Sequence, residues 1–126
     1  PQVAELMNRV RQPFNVNSIA LAAAEAALAD EEHVAASLAL NSAGLAQLTR
    51  ACKALGLRYI PSVGNFLCIE FGNPARDIYE ALLRHGVIVR PIANYGLPYH
   101  LRVTVGTEPE NTRFIDALGK VLNEPS

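Results

Sequence analysis

The chain has 126 residues, half of them hydrophobic, with eleven basic and twelve acidic side chains and a formal net charge of -1. That length buries one core and is too short for two ordinary domains. Balanced charge without a basic block interleaved with aromatics argues against nucleic acid as a partner, and short, interrupted apolar runs provide neither a membrane span nor a signal peptide.

Val3, Leu6, Met7 and Val10 recur at helical spacing until Pro13 forbids continuation, so residues 1–11 read as a helix leading in from something upstream. Asn17 and Ser18 cap an alanine-rich helix over Ile19–Ala29, whose small side chains imply close helix packing. Asp30 caps a longer helix, with Glu31 and Glu32 at its positive end. Its apolar ladder is Val34, Leu38, Leu45, Leu48, Cys52 and Leu55, interrupted by Asn41, and Gly56 supplies the stop. The period then changes from helical to extended. Residues 58–60 and 66–71 read as strands separated by the turn residues Pro61, Ser62 and Gly64. Asn73 and Pro74 open a helix with Ile78, Leu82 and Leu83 as its buried stripe, and Gly86 ends it. Val87–Arg90 is the next strand, followed by a loop over 91–99. In His100–Val105, Leu101, Val103 and Val105 alternate with Arg102 and Thr104. Thr107 and Glu110 stand in capping-box spacing before a last helix that carries Phe114, Leu118, Val121 and Leu122 inward. The order of elements points to an α+β fold, a small sheet of short strands with helices packed mainly on one face.

Little in this sequence offers covalent chemistry. The two cysteines, Cys52 and Cys68, lack CxxC spacing and read as reduced core residues of a cytoplasmic protein. His33, His85 and His100 lie far apart in the chain and form no ligand set, so no metal is expected. No nucleophile motif and no phosphate-cradling glycine loop occurs. The only lysines are Lys53 and Lys120, and neither has the desolvated or cation-flanked setting that makes an amine nucleophilic. No catalytic residue is therefore assigned. What remains is anion binding. Arg102 projects from the polar side of a strand whose other side is apolar, and its planar fork suits a carboxylate. Arg90 stands at the end of the neighbouring strand. By position alone, each could equally be a solvated surface arginine or pair with an acid. Asn65 either holds a turn or faces a ligand, and Tyr95 in the long loop either lines a pocket or covers the sheet end.

Four segments, RQPFNVNSIALAAAEAAL at 11–28, GNFLCIEF at 64–71, GVIVRPIANYGLP at 86–98 and LRVTVGTEPENTRFIDAL at 101–118, carry a resemblance. Together they resemble the C-terminal part of the histidinol-phosphate aminotransferases, fold type I pyridoxal-phosphate enzymes of histidine biosynthesis. The resemblance implies that Arg102 grips the substrate α-carboxylate and that Arg90 holds the substrate phosphate. It also implies a cofactor bound as a Schiff base to a lysine, with an aspartate on its ring nitrogen, both in a preceding large domain. No SxSK-type lysine segment occurs here. Residues 1–16 are thus expected to be the remnant of an interdomain connection and 17–126 the small domain, inactive and cofactor-free by itself. The family context further implies ping-pong exchange between histidinol phosphate and 2-oxoglutarate in a homodimer. Threonine-phosphate decarboxylases and other aminotransferases share the same outline, and a stand-alone anion-binding module is the rival from a different class.

Overall fold

The computed structural model describes residues 2–11, 14–72 and 75–123, and contacts divide the chain into two units, 1–35 and 36–126. The first unit holds α1 (Gln2–Val10), α2 (Ser18–Leu28) and the first residues of α3 (Glu31–Ala54). Its helices start where their caps are. The Asn17 side-chain oxygen accepts from the Ala20 N–H at 2.8 Å, and Asp30 Oδ1 accepts from the His33 N–H at 2.9 Å. Each satisfies a first-turn N–H that has no intrahelical carbonyl. Val3, Leu6, Met7 and Val10 are all exposed. The close packing expected of the alanine helix is not found, since α2 buries no residue; its alanines serve helix propensity rather than a packed surface. Pro13, the expected stop of α1, lies outside the described residues, as do Asn73 and Pro74.

In the second unit a four-stranded antiparallel sheet in the order β1-β2-β4-β3 carries the helices on one face. The strands are β1 (Arg58–Ile60), β2 (Phe66–Glu70), β3 (Arg90–Pro91) and β4 (His100–Thr104); the helices are the rest of α3, α4 (Ala75–Arg84) and α5 (Glu108–Asn123). Alternation decides which face is covered. Leu67 and Ile69 stand opposite Val103 and Leu101 across the central β2–β4 pair, and all four are buried against Leu48 and Cys52 of α3, Ile78 and Leu82 of α4, and Phe114 and Leu118 of α5. Burial of each large side chain contributes about 1.5–3 kcal/mol. Phe66, Cys68, His100 and Arg102 alternate onto the opposite face.

The two long connections out of helices follow one design. Gly56 and Gly86 take φ of 68° and 71°, a left-handed conformation that costs glycine nothing. After α3 the Leu57 N–H bonds the Cys52 carbonyl at 2.8 Å and the Gly56 N–H bonds the Lys53 carbonyl at 3.2 Å; after α4 the Val87 N–H bonds the Leu82 carbonyl and the Gly86 N–H bonds the Leu83 carbonyl, both at 2.9 Å. Both are Schellman caps.

That cap also corrects the expected strand Val87–Arg90. The Val87 N–H is already spent on Leu82, so residues 87–89 leave the helix unpaired and β3 begins only at Arg90. Five apolar assignments also shift. Leu83 and Leu122 lie on the exposed rim of their helices; Leu38 and Leu55 are exposed because within the second unit α3 buries only Gly44, Leu48 and Cys52, and Val34, in the first unit, is exposed as well. Phe71 is buried but outside β2, its N–H bonded to the Tyr99 carbonyl at 2.8 Å.

At the head of α5 the Glu110 carboxylate accepts from both the N–H and the hydroxyl of Thr107 at 2.8 Å. These bonds, backbone first, hold the Glu110 carboxyl below its ordinary range. A depressed folded-state value gives stability that is present above the ordinary glutamate value of about 4.3 and lost as pH falls through the lower folded value. Glu110→Gln is therefore expected to leave part of the acid limb of a pH–stability curve flatter, measured by urea unfolding between neutral and acid pH. An unchanged limb would show that Glu110 titrates alike in the folded and unfolded chain and that the cap adds no pH-dependent stability.

Candidate functional site

The register of the sheet brings the two candidate arginines together. Arg90 is the direct cross-strand partner of Arg102, so both side chains leave the same, uncovered face. Like charges directly opposite destabilise an antiparallel pair, and no acidic side chain among the described residues offsets them: the ion pairs join Arg9 to Glu5, Arg58 to Glu70 and Arg76 to Glu80. The pair is held by aromatic groups instead. Arg102 places its guanidinium carbon 5.1 Å from the centre of the Phe66 ring, and Arg90 lies 5.8 Å from that of Tyr95, to whose hydroxyl it donates at 3.3 Å. A cation over an aromatic face gains about 0.5–1 kcal/mol at exposed sites, enough to orient a guanidinium but not to neutralise it.

Two buried nitrogens on this face of β4 have no partner among the described residues, Arg102 Nε and His100 Nδ1. A buried donor left unsatisfied costs about 1–3 kcal/mol, which makes Arg102 Nε an unmet donor on this face. Cys68, its neighbour on β2, is pushed up by burial and pulled back by the Arg102 charge. Cys52, inside the helical layer, is pushed up to about 11 by burial and is inert at neutral pH.

Tyr95, in a short 3-10 turn over Ala93–Tyr95, thus reaches Arg90. Asn65 sits exposed before β2 and accepts the Val105 N–H on its backbone carbonyl at 2.8 Å; its side chain makes no hydrogen bond among the described residues. Sequence reasoning missed Phe66 as the rest under Arg102, and it missed Asn111. The second had a signal: 111, 114, 118 and 121 form one helical stripe, and the polar letter at its head is buried with the rest.

With this geometry in hand, the comparison with known proteins is specific. The sequence profile of aminotransferase class I and II matches residues 1–118. The chain belongs to the class I and II aminotransferases. It is 61% identical over 124 residues to histidinol-phosphate aminotransferase 1 of Nitrosococcus oceani, and 60% identical over 122 residues to histidinol-phosphate aminotransferase 2 of Pseudomonas fluorescens strain Pf0-1. These matches take in 98% and 97% of this chain but only 34% and 33% of those proteins, so the chain spans about a third of the length of the curated relatives it matches. The crystal structure of histidinol-phosphate aminotransferase from Sinorhizobium meliloti in complex with pyridoxal-5'-phosphate superposes with a TM-score of 0.78 at 27% identity, covering 97% of this chain and 34% of that one.

An aminotransferase needs an amine for its cofactor, and the described residues do not fit that group. Lys53 and Lys120 are exposed in α3 and α5, in the helical layer behind the sheet, whereas the arginine pair occupies its open face. The arginine pair and an amine are not brought together among the described residues.

Proposed function

We propose that this chain is the substrate-anchoring small domain of a pyridoxal-phosphate-dependent histidinol-phosphate aminotransferase, with residues 17–126 forming that domain and 1–16 its connection to a larger one. The observation that carries the reading is the Arg90–Arg102 pair, two cations opposed across one rung of an open sheet face with no acidic partner among the described residues. The relatives at 60% and 61% identity support it by their names.

Histidinol phosphate presents one doubly charged phosphate, and 2-oxoglutarate presents two singly charged carboxylates. Adjacent guanidiniums balance either. Arg102, backed by Phe66 and half-buried, takes a carboxylate through its fork; Arg90, with the Tyr95 hydroxyl beside it, takes the phosphate; Tyr95 and Asn65 are the further residues assigned to face the substrate. Pyridoxal phosphate, its lysine and the dimer contacts belong in this reading to the larger domain of a cytoplasmic homodimer, and the small domain closes over the bound substrate as a lid does.

The test is an assay of the full-length protein for amino transfer from histidinol phosphate to 2-oxoglutarate, run beside carbon dioxide release from threonine phosphate. Transfer without release supports the reading, and release without transfer sinks it. Arg90→Ala is expected to reduce kcat/KM for histidinol phosphate by about ten-fold more than for unphosphorylated histidinol, since a charge-assisted bond to phosphate contributes roughly 1.5–3 kcal/mol. Equal losses on the two donors would remove the phosphate role.

A further inference from the structure

Asn111 is the only buried polar side chain among the described residues, 3% exposed, and nothing above gives it a task. Its Oδ1 accepts the Gly106 N–H at 2.9 Å while its Nδ2 donates to the Gly106 carbonyl at 3.1 Å. One carboxamide thereby makes the reciprocal pair with a peptide group that a neighbouring strand would make. The same Nδ2 donates to Gln47 Oε1 on α3 at 3.1 Å, and Gln47 Nε2 donates to the Glu108 carbonyl at 3.3 Å and to Thr112 Oγ1 at 3.0 Å. The approach of α3 depends on Gly44, where an added Cβ would strike Val105 Cγ1 and come within 2.9 Å of Asn111 Nδ2.

We propose that Asn111 and Gln47 form a clamp that sets the aim of Arg102, which makes Asn111 a positioning residue for anion binding; the proposal deepens the function just given and rests on it. Arg102 Nε has no partner among the described residues, so the guanidinium is aimed by the β4 backbone and by the Phe66 ring. On its β3 side β4 is paired only at Leu101 and Arg102, because residues 87–89 stay out of the ladder. Beyond Arg102 that edge has no strand to hold it. The clamp at Gly106 secures the chain where the ladder stops and ties it at once to α3 and α5. Without it, the end of β4 keeps only its β2-side hold, the β2 ladder and the Val105 N–H bond to the Asn65 carbonyl, and a twist about that one-sided pairing swings the guanidinium away from its anion.

The test compares wild type with Asn111→Leu, which keeps the volume and removes every bond. The first readout is the NMR signal of the Arg102 Nε–H together with hydrogen exchange at 103–106. The second is the split between KM for 2-oxoglutarate and kcat in the full-length protein. A moved or broadened Arg102 signal, with KM raised by about ten-fold or more and kcat held within about two-fold, is the expected result, because lost ground-state binding appears in KM. A lower melting temperature with the Arg102 signal and KM unchanged would overturn the clamp and leave Asn111 a merely structural residue. Should Asn111→Leu not fold, Gln47→Leu keeps the Gly106 pair and cuts only the tie to α3; a KM rise of roughly three-fold is then expected, and an unchanged KM counts against the proposal. A wild-type protein that transfers no amino group to any oxo acid would remove the proposed function, and the Arg102 signal would still decide the clamp.

Discussion

Arg102→Ala is expected to lower kcat/KM for the oxo acid, and for an amino-acid donor that carries an α-carboxylate, by about 2–5 kcal/mol in the full-length protein, on the order of 30- to 5,000-fold. Two features make this the largest functional effect in the chain. The guanidinium is half-buried with Nε unpartnered, so it is already partly desolvated, and its removal leaves an anionic substrate group facing Phe66 and Cys68 with nothing to accept from. The upper end of the range applies when bound substrate is shut away from water, since exposed charge pairs contribute little. Arg102→Lys separates charge from shape. A lysine keeps the unit charge but loses the planar fork and the stacking on Phe66, so most of the loss should persist. Steady-state kinetics with both substrates decides it, and restoration of nearly full activity by lysine would mean that the site needs only a point charge.

Leu67→Ala is expected to destabilise the second unit by about 2–5 kcal/mol, while Cys68→Ala, one residue along, should change stability by less than about 1 kcal/mol. Leu67 is fully buried between the sheet and the helices, opposite Val103, whereas Cys68 points to the uncovered face. A domain with total stability of only about 5–15 kcal/mol cannot absorb the first change without a plain shift in its urea midpoint. Similar shifts for both variants would mean that the open face is covered in solution and that the one-sided packing described above is incomplete.

Much of this architecture was legible from local chemistry. The caps Asn17 and Asp30, the stops at Gly56 and Gly86, and the alternation around Leu101 and Val103 each rest on interactions within a few residues, and each came out as read. What failed was decided at longer range. Nothing local says that the Val87 N–H will be taken by Leu82, which shortens β3, or that α3 buries no residue before Gly44. The site divided along the same line. Arg102 on a polar strand face was readable from alternation. That Arg90 stands directly opposite it was not, because a register between strands whose partners lie a dozen residues apart is fixed by the whole core, and a slip of one residue would have sent Arg90 to the other face. Asn111 was overlooked because an asparagine in a first helical turn passes for a solvated one unless its place in the buried stripe is counted.

The twin glycine caps have a wider consequence. Each cap leads from a helix to an edge strand and then to a central strand, α3–β1–β2 and α4–β3–β4, and the order β1-β2-β4-β3 sets the two triplets about an approximate dyad through the β2–β4 pair. Four residues after each cap glycine comes the edge residue that faces the middle of the central strand: Ile60 opposite Cys68 in one triplet, Arg90 opposite Arg102 in the other. Equivalent places on a nearly symmetric frame are thus filled with opposite chemistry, an apolar pair and a dication. The charges that the apolar half does carry, Arg58 and Glu70, neutralise each other at 2.6 Å. Another surface can lie against the Ile60–Cys68 half without stripping water from an unpaired ion, whereas covering the Arg90–Arg102 half would desolvate two cations that have no acidic partner among the described residues.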